Sequence, residues 1–168
     1  MKEMSQYHRG VSYSQVIDCD VPIVWNLISS ESNLELFHPF CKNNRVIKWS
    51  NENSIDEIEY LNGLTLRRKF SNWIDQVGYD LYINQKGKPS SYVSWRLKSM
   101  EPGCNITITI YPYLFNGGNK LLNAFPFYFI IKPLLKTYLR SVVDGMKWHM
   151  EKGIPTPKNH FGKHKWFS

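Results

Sequence analysis

The chain has 168 residues, of which 42% are hydrophobic and 21% are charged, a composition typical of a soluble globular protein rather than a disordered one. Three widely spaced cysteines and the polar start MKEMSQYHRG argue against a disulfide framework and a secretory signal, so a cytoplasmic location is expected. The net charge is +7, and all of the excess follows Tyr113: 12 basic and 12 acidic residues precede Leu114, whereas 9 and 2 come after it.

Alternating apolar and polar side chains predict a first strand within residues 7–18. Asp20 then stands where a helix cap is expected, so a short helix should follow it directly. Ser32 and Glu35 have the spacing of a capping box, which predicts a second short helix that ends at Phe37.

A meander of strands is predicted next, since short runs of period-two alternation are separated by residues that favour turns. The sharpest of these turns is Asn62-Gly63, which is typical of a two-residue type I′ hairpin. Such a pattern indicates an antiparallel sheet with one buried face. The predicted strands are 44–49, 55–61, 64–73, 77–85, 92–99 and 105–113.

One long helix is predicted from Leu134 to Lys152, because apolar residues recur there at steps of three and four. Pro133 marks its first turn and Gly153 its end. At 1.5 Å per residue the helix is about 30 Å long and needs a broad curved sheet to cover its apolar stripe.

The segment 114–132 is apolar and aromatic, but it is broken by glycines and by Pro126. Its uncharged run is shorter than the ~20 residues of a membrane-spanning helix, so such a span is rejected. We expect a single domain over residues 1–153, followed by a basic and aromatic tail, 154–168, that is mobile or loosely docked.

The order of the predicted elements, together with three local motifs, resembles the helix-grip fold of the START and birch-pollen-allergen superfamily, also called SRPBCC. These motifs are DVPIVWNLISS at Asp20–Ser30, Phe37-His38-Pro39, and the C-terminal helix. The resemblance implies an α+β fold in which a seven-stranded curved antiparallel sheet wraps around the long C-terminal helix, with two short helices after the first strand. It also implies a cavity for apolar ligands, while the superfamily's range of activities leaves the function open.

Arg68 is a candidate binding residue, because the alternation of Leu64, Leu66 and Phe70 places it on the apolar side of its strand. An unpaired charge is costly there. One interpretation is a β-bulge or an exposed strand end. The other is a guanidinium that lies in the cavity and donates hydrogen bonds to a ligand.

Aromatic residues with polar tips suit the wall of such a cavity, where rings supply apolar surface and polar atoms orient a ligand. Each of them singly also fits an ordinary core position. With residues from the long helix, the candidate ligand-binding set comprises Tyr60, Arg68, Tyr79, Trp95, Tyr111, Tyr138, Val142 and Met146.

No cofactor and no metal are expected. His160 and His164 have a spacing that suits two metal ligands on a helix, but Gly162 lies between them and no third ligand is near. His149, near the apolar stripe of the long helix, is expected to pack its ring against a strand, and His38 is expected to lie in a loop. No confident catalytic residue emerges, because Glu57 and Glu59 cannot be placed on the buried face.

Three functions compete. The first is binding or carriage of a hydrophobic small molecule, such as a lipid, isoprenoid or polyketide, in a cavity between sheet and helix. The second is an enzyme of the polyketide cyclase/dehydratase type. The third is docking of the basic, aromatic C-terminal third on an anionic membrane surface or partner. Nucleic acid is not expected as a partner, and the oligomeric state stays open.

Overall fold

The computed structural model describes residues 7–116 and 121–168. The helices are short except for the last, and a 3₁₀ turn, Asn51–Asn53, precedes the third strand. The helices are α1 Val21–Ile28, α2 Leu34–Phe37, α3 Ala124–Pro126 and α4 Lys132–Lys152, with a π-helical turn, Phe127–Ile131, between the last two. The strands are β1 Val11–Ile17, β2 Cys41–Lys48, β3 Ile55–Tyr60, β4 Thr65–Ile74, β5 Gly78–Asn84, β6 Ser91–Met100 and β7 Gly103–Tyr111.

The strands form one sheet of seven in the order β1-β7-β6-β5-β4-β3-β2, and every neighbouring pair is antiparallel. The sheet is curved and open, with β1 and β2 at its edges. The predicted helix-grip architecture is thus confirmed.

Alternation decides which side chains enter the core. In β7, Ile106, Ile108 and Ile110 are buried, while the residues between them are only partly covered. In β5, Tyr79 and Leu81 are buried in the core, while Asp80 between them is buried on the opposite face, where it pairs with Arg96 at 2.8 Å. Because successive side chains point to opposite faces of a strand, the sequence pattern selects one face of the sheet for the core.

Helix α4 packs its apolar stripe against the core and crosses α2 closely. A side chain on Gly145 would place its Cβ 2.2 Å from the carbonyl oxygen of Phe37 and 3.2 Å from Cδ of Pro39. Glycine at this position therefore lets the two helices approach backbone to backbone. The helix ends at Gly153, whose left-handed conformation (φ 70°) suits glycine.

The segment from Ile154 to Ser168, called the tail below, is not loosely attached, so that expectation is wrong. Thr156 is buried, and its hydroxyl donates to the carbonyl oxygen of Gly145 at 2.8 Å. The backbone N–H of Asn159 donates to the Pro39 carbonyl oxygen at 2.9 Å. These bonds fix the tail across α2 and α4.

The capping-box prediction also needs correction. Ser32 has a positive φ of 53° and makes no cap, and α2 begins only at Leu34. Glu35 instead accepts a hydrogen bond from the backbone N–H of Asn44 at 2.7 Å, which ties α2 to β2. Within the described part of the chain, no helix has the length and hydrophobicity needed to cross a bilayer.

Candidate functional site

A cavity of about 540 Å³ lies between the sheet and the first half of α4. That volume falls in the range of small-molecule sites. Its wall is mostly aliphatic and aromatic, from strands β3 to β7, α4 and the tail; the apolar lining includes Ile58, Leu66, Leu81, Val93, Trp95, Ile108, Ile110, Leu135, Leu139, Trp166 and Phe167. Exposed lining residues, among them Gln85, Tyr113 and Lys165, mark where the cavity reaches the surface, called the mouth below.

A chain of three polar side chains lies in the wall. Nε2 of His38 is 2.9 Å from the hydroxyl oxygen of Tyr138, and that oxygen is 3.0 Å from the hydroxyl oxygen of Tyr60. His38 and Tyr60 are buried. The ring of Phe167 stacks on Tyr60 with centroids 4.3 Å apart, so the tail covers this chain.

The backbone determines which nitrogen of His38 carries the proton. Nδ1 accepts a hydrogen bond from the N–H of Phe40 at 3.2 Å, so in the neutral ring the proton is on Nε2, which donates to Tyr138. The link between the two tyrosine hydroxyls uses only one of their hydrogens. The other has no acceptor among the described residues and is free to donate to a bound molecule.

Burial keeps this chain uncharged at neutral pH. Desolvation, with smaller contributions from the charges of Arg68 and Lys158, lowers the pKa of His38 to about 3. Desolvation raises the pKa of Tyr138 to about 12 and moves the pKa of Tyr60 well above its usual value. The imidazole is therefore neutral and both phenols are protonated, so they are hydrogen-bond donors rather than charged groups.

The buried histidine should make stability depend on pH. Its pKa is about 3 in the folded protein and 6.5, the ordinary value for histidine, in the unfolded chain, so between these limits the unfolded state binds more protons. The stabilising contribution is complete above pH 6.5 and is lost as the pH falls towards 3. We expect the wild type to lose about 2 kcal/mol more than His38→Gln between pH 7 and pH 5 in urea unfolding.

The exposed His8 supplies the matched control. His8→Gln should retain the pH dependence of the wild type, since only its backbone N–H bonds to Asn116. Burial also lowers the pKa of His164, so His164 too makes the protein less stable as the pH falls. Wild type, His38→Gln and His8→Gln all retain His164, so its effect cancels in the comparison. Equal pH dependence in wild type and His38→Gln would show that His38 is not held neutral.

Arg68 lines the cavity and is buried, so an exposed strand end is excluded. The pairing of β4 is regular at this residue, which faces Asp56 on β3 and Ile83 on β5; the register shift of β4 comes later, after Ser71. The alternative of a β-bulge at Arg68 is therefore wrong.

The guanidinium of Arg68 is paired inside the protein. Its Nε donates to Oδ1 of Asp56 at 2.7 Å and its Nη2 donates to Oδ2. Asn44 adds a third hydrogen bond to this carboxylate at 3.1 Å. Nη1 has no acceptor among the described residues. The sequence predicted that the guanidinium donates to a ligand. In the structure Nε and Nη2 donate to Asp56, so only Nη1 remains for a bound molecule.

The other candidate residues divide into two groups. Tyr60, Trp95 and Tyr138 line the cavity with Arg68, whereas Tyr79, Tyr111, Val142 and Met146 are not among its lining residues. Tyr79 is on the core side but lies under α1, where its hydroxyl donates to the Ile28 carbonyl oxygen at 3.3 Å. Tyr111 follows Ile110 on β7, so its ring is on the opposite face, near Tyr92.

Val142 and Met146 are buried further along α4, beyond the end of the cavity, which reaches only Leu135, Tyr138 and Leu139 of this helix. Alternation and helical periodicity identify the buried face, but they do not show how far along an element a cavity extends. Conversely, the sequence interpretation of His38 as a loop residue missed its contact with Tyr138, which is 100 positions away in the chain.

The histidines considered for a metal site have other contacts. His160 packs against the ring of Trp148 at 5.2 Å, and Nε2 of His164 donates to the carbonyl oxygen of Leu134 at 3.1 Å. Nδ1 of His149 bonds to the Ile154 carbonyl oxygen at 2.7 Å. Among the described residues, no three His, Cys, Asp or Glu side chains are grouped so that they could hold a metal ion.

Comparison with known proteins informs the fold more than the chemistry. No family model matches the sequence, and no curated protein matches it significantly. Solved structures do match: a protein from Mesorhizobium loti has a TM-score of 0.64 at 12% identity, covering 86% of this chain and 98% of its own. The Aha1 dimer from Colwellia psychrerythraea has a TM-score of 0.64 at 11% identity, with coverages of 86% and 98%.

A third similar structure is DynU16, a putative protein in the dynemicin biosynthetic locus, with a TM-score of 0.66 at 12% identity. The match covers 89% of this chain but 50% of DynU16, so the chain spans about half the length of that protein. At such low identities these likenesses show a shared fold, consistent with the helix-grip arrangement, and nothing about a shared ligand.

Proposed function

We propose that this protein binds a hydrophobic small molecule that carries a hydrogen-bond-accepting oxygen, in the cavity between the sheet and α4. The observation that carries the proposal is the pairing of an apolar wall with inner polar groups that are donors. A tyrosine hydrogen of the pair Tyr60/Tyr138 and Nη1 of Arg68 both lack an acceptor among the described residues. Burial of the apolar body supplies affinity, at about 25 cal/mol per Å², and these donors orient the ligand.

Donors of this kind favour a carbonyl, carboxylate or phenolic oxygen over an amine. Arg68 lines the cavity with Tyr60 and Tyr138, and its Nη1 is a donor on a charged group. An oxygen that carries partial or full negative charge makes a stronger hydrogen bond with such a donor than a neutral one does. Polyketides, isoprenoid quinones and fatty acids all combine such an oxygen with a long or fused apolar body. The fold resembles that of SRPBCC proteins, and this resemblance also supports an apolar ligand.

The first test is native mass spectrometry of the purified protein, with extraction and identification of any retained molecule. The second uses 8-anilinonaphthalene-1-sulfonate, whose aromatic rings and sulfonate oxygens match the proposed ligand class. Tyr60→Phe/Tyr138→Phe should weaken its binding about fivefold, because a net hydrogen bond contributes about 1 kcal/mol. Both tyrosines are replaced because either hydroxyl alone can turn its hydrogen towards the probe.

Tyr79→Phe is the matched control, since this buried tyrosine donates to a backbone carbonyl outside the cavity. It should bind the probe as the wild type does. Equal affinity in the wild type and the double variant, or an equal loss in Tyr79→Phe, would contradict the proposed role of the cavity hydroxyls.

An enzyme of the polyketide cyclase type is the second candidate, favoured by the likeness to DynU16 from a biosynthetic locus. General acid–base catalysis works best when a group has a pKa near the working pH. In this cavity His38 has a pKa of about 3 and Tyr138 of about 12, so neither is poised for proton transfer at neutral pH. Because both pKa values are far from neutral pH, they support a binding protein rather than an enzyme. A retained molecule whose mass changes on incubation with the protein would favour the enzyme.

A further inference from the structure

The surface next to the cavity mouth carries large apolar side chains that face solvent. Leu121, Phe125 and Phe129 are 87%, 68% and 69% exposed. Contiguous exposed apolar patches of this kind mark interaction sites in soluble proteins. The set, called the apolar ridge below, comprises Tyr113, Leu114, Phe115, Leu121, Leu122, Phe125, Tyr128, Phe129 and Ile130.

The two segments of the ridge lie side by side. Arg9 joins them, because its Nη1 donates to the Phe115 carbonyl oxygen at 3.5 Å while its guanidinium lies 5.9 Å from the ring centre of Tyr128. Asn116 holds the first segment in place by accepting from the backbone N–H of Arg9 at 2.8 Å. Tyr113 and Leu114 also line the cavity. The ridge is therefore continuous with the mouth.

The backbone keeps the second segment turned outward. In the π-helical turn, Phe127 and Ile131 are buried against the core, while the three residues between them, Tyr128 to Ile130, are exposed. Phe125 and Phe129 pack on each other with ring centres 4.6 Å apart. An amphipathic surface helix would present polar side chains here. The turn Phe127–Ile131 is apolar on its inner and its outer face, so its outer face is suited to contact with an apolar partner outside the protein.

Charge around the mouth has one sign. The described segments that surround it are 60–66, 83–91, 112–116, 121–136 and 163–168, and they contain no aspartate or glutamate. Their exposed lysines are Lys86, Lys88, Lys132, Lys136, Lys163 and Lys165. Lys132 lies 5.3 Å from the ring centre of Tyr128, directly beside the ridge. Such a surface repels basic partners and complements an anionic one.

We infer that the apolar ridge docks on an anionic lipid bilayer, with its aliphatic and phenylalanine side chains in the interface and the surrounding lysines against the headgroups. Aromatic side chains are favoured at headgroup level, and each lysine near an anionic leaflet contributes attraction. A bilayer also needs no matching pocket, which suits side chains that protrude as far as Leu121 and Phe125. Docking goes beyond the proposed ligand binding and places the mouth against the membrane.

The docking surface is only part of the basic, aromatic C-terminal third that the sequence indicated. Trp166 and Phe167 are half-buried and line the cavity, so their rings are not available to a bilayer. Phe127 is also buried. The aromatic residues of the ridge are Tyr113, Phe115, Phe125, Tyr128 and Phe129, and the tail contributes only lysines.

The test is co-sedimentation with vesicles of phosphatidylcholine containing about one-third phosphatidylserine. Wild-type protein should sediment, more so with a higher anionic fraction and less with added salt. Phe125→Ser/Phe129→Ser should weaken binding at least about tenfold. Lys132→Glu/Lys136→Glu should weaken it about 30-fold or more, because each lysine is worth about a factor of five.

Matched controls change exposed residues of the same kind away from the mouth. Ile23→Ser/Ile74→Ser removes the same kind of apolar surface, and Lys48→Glu/Lys98→Glu makes the same change of net charge. Both controls should sediment like the wild type. Tyr60→Phe/Tyr138→Phe should also sediment like the wild type, so the test of membrane docking is independent of the test of ligand binding. Circular dichroism verifies that each variant is folded.

Three results would overturn the inference. Wild-type protein that stays in the supernatant with acidic vesicles at low salt has no such docking surface. An equal loss of binding in the control variants would show attraction by net charge or by scattered apolar residues alone. A dimer in light scattering that Phe125→Ser/Phe129→Ser converts to monomer would identify a second copy of the chain, rather than lipid, as the occupant of the ridge.

Discussion

Replacement of Asp56 by alanine is expected to lower the free energy of unfolding by about 3–5 kcal/mol. The side chains of Asp56 and Arg68 are 0% and 4% exposed, so the variant leaves a guanidinium buried without its partner. It also removes one of the two acceptors of the Asn44 side-chain amide, which keeps only the Glu57 carbonyl oxygen. Urea unfolding of both proteins at pH 7 measures the loss.

The neighbouring residue on β3 provides the control. Glu57 pairs with Arg45 and Arg67, whose side chains are 66% and 56% exposed, so Glu57→Ala should cost no more than about 1 kcal/mol. Removing both buried charges, as in Asp56→Leu/Arg68→Met, should cost less than Asp56→Ala, since no unpaired charge remains. If Asp56→Ala were no more costly than Glu57→Ala, the buried pair would have no special role in stability.

Alanine at Gly145 is expected to destabilise the protein, although alanine normally stabilises the interior of a helix by about 1 kcal/mol relative to glycine. The added Cβ would meet the carbonyl oxygen of Phe37 at 2.2 Å, which forces α4 away from α2. Overpacking of this kind costs about 1–3 kcal/mol or more. Thermal unfolding followed by circular dichroism should show a lower midpoint for Gly145→Ala.

Thr137→Ala tests mainly helix propensity, since Thr137 is exposed on the same helix and its side chain donates to the Pro133 carbonyl oxygen in the preceding turn. It should leave the midpoint unchanged or raise it slightly. A higher midpoint in Gly145→Ala as well would mean that the helices can separate without cost, against the close crossing described above.

The fold was predictable because its two strongest signals are local. Period-two alternation in β5, β6 and β7 and the apolar stripe of α4 are both visible within a few consecutive residues. Turn geometry was less predictable. The hairpin at Asn62-Gly63 has a positive φ only at Gly63 (85°), so it is not the predicted type I′ turn, which needs a positive φ at both residues. Instead, the N–H of Tyr60 donates to the Leu64 carbonyl oxygen across a four-residue loop.

The site was harder to predict, because its contacts join residues far apart in the chain. Alternation does place Asp56 with Ile58 and Tyr60 on the buried face of β3, so a charge opposite to that of Arg68 was available in the pattern. Glu57 and Glu59, the carboxylates considered in the sequence, alternate with Asp56 and are on the opposite face. No local pattern pairs His38 with Tyr138, and the tail has no periodicity that would reveal its packing on Tyr60.

The part of the cavity wall that the tail supplies also bears on how a bound molecule can leave. Residues 154–168 contain no helix or strand, and Trp166 is joined to the sheet through one hydrogen bond, from Asn62 to its carbonyl oxygen at 2.9 Å. Local openings in a protein have free energies far below that of global unfolding where few backbone bonds must break. Besides the mouth, a molecule inside the cavity therefore has a second route out, through an opened tail, that leaves every strand paired. A more stable sheet would not slow escape by this route, because opening of the tail breaks no hydrogen bond between strands.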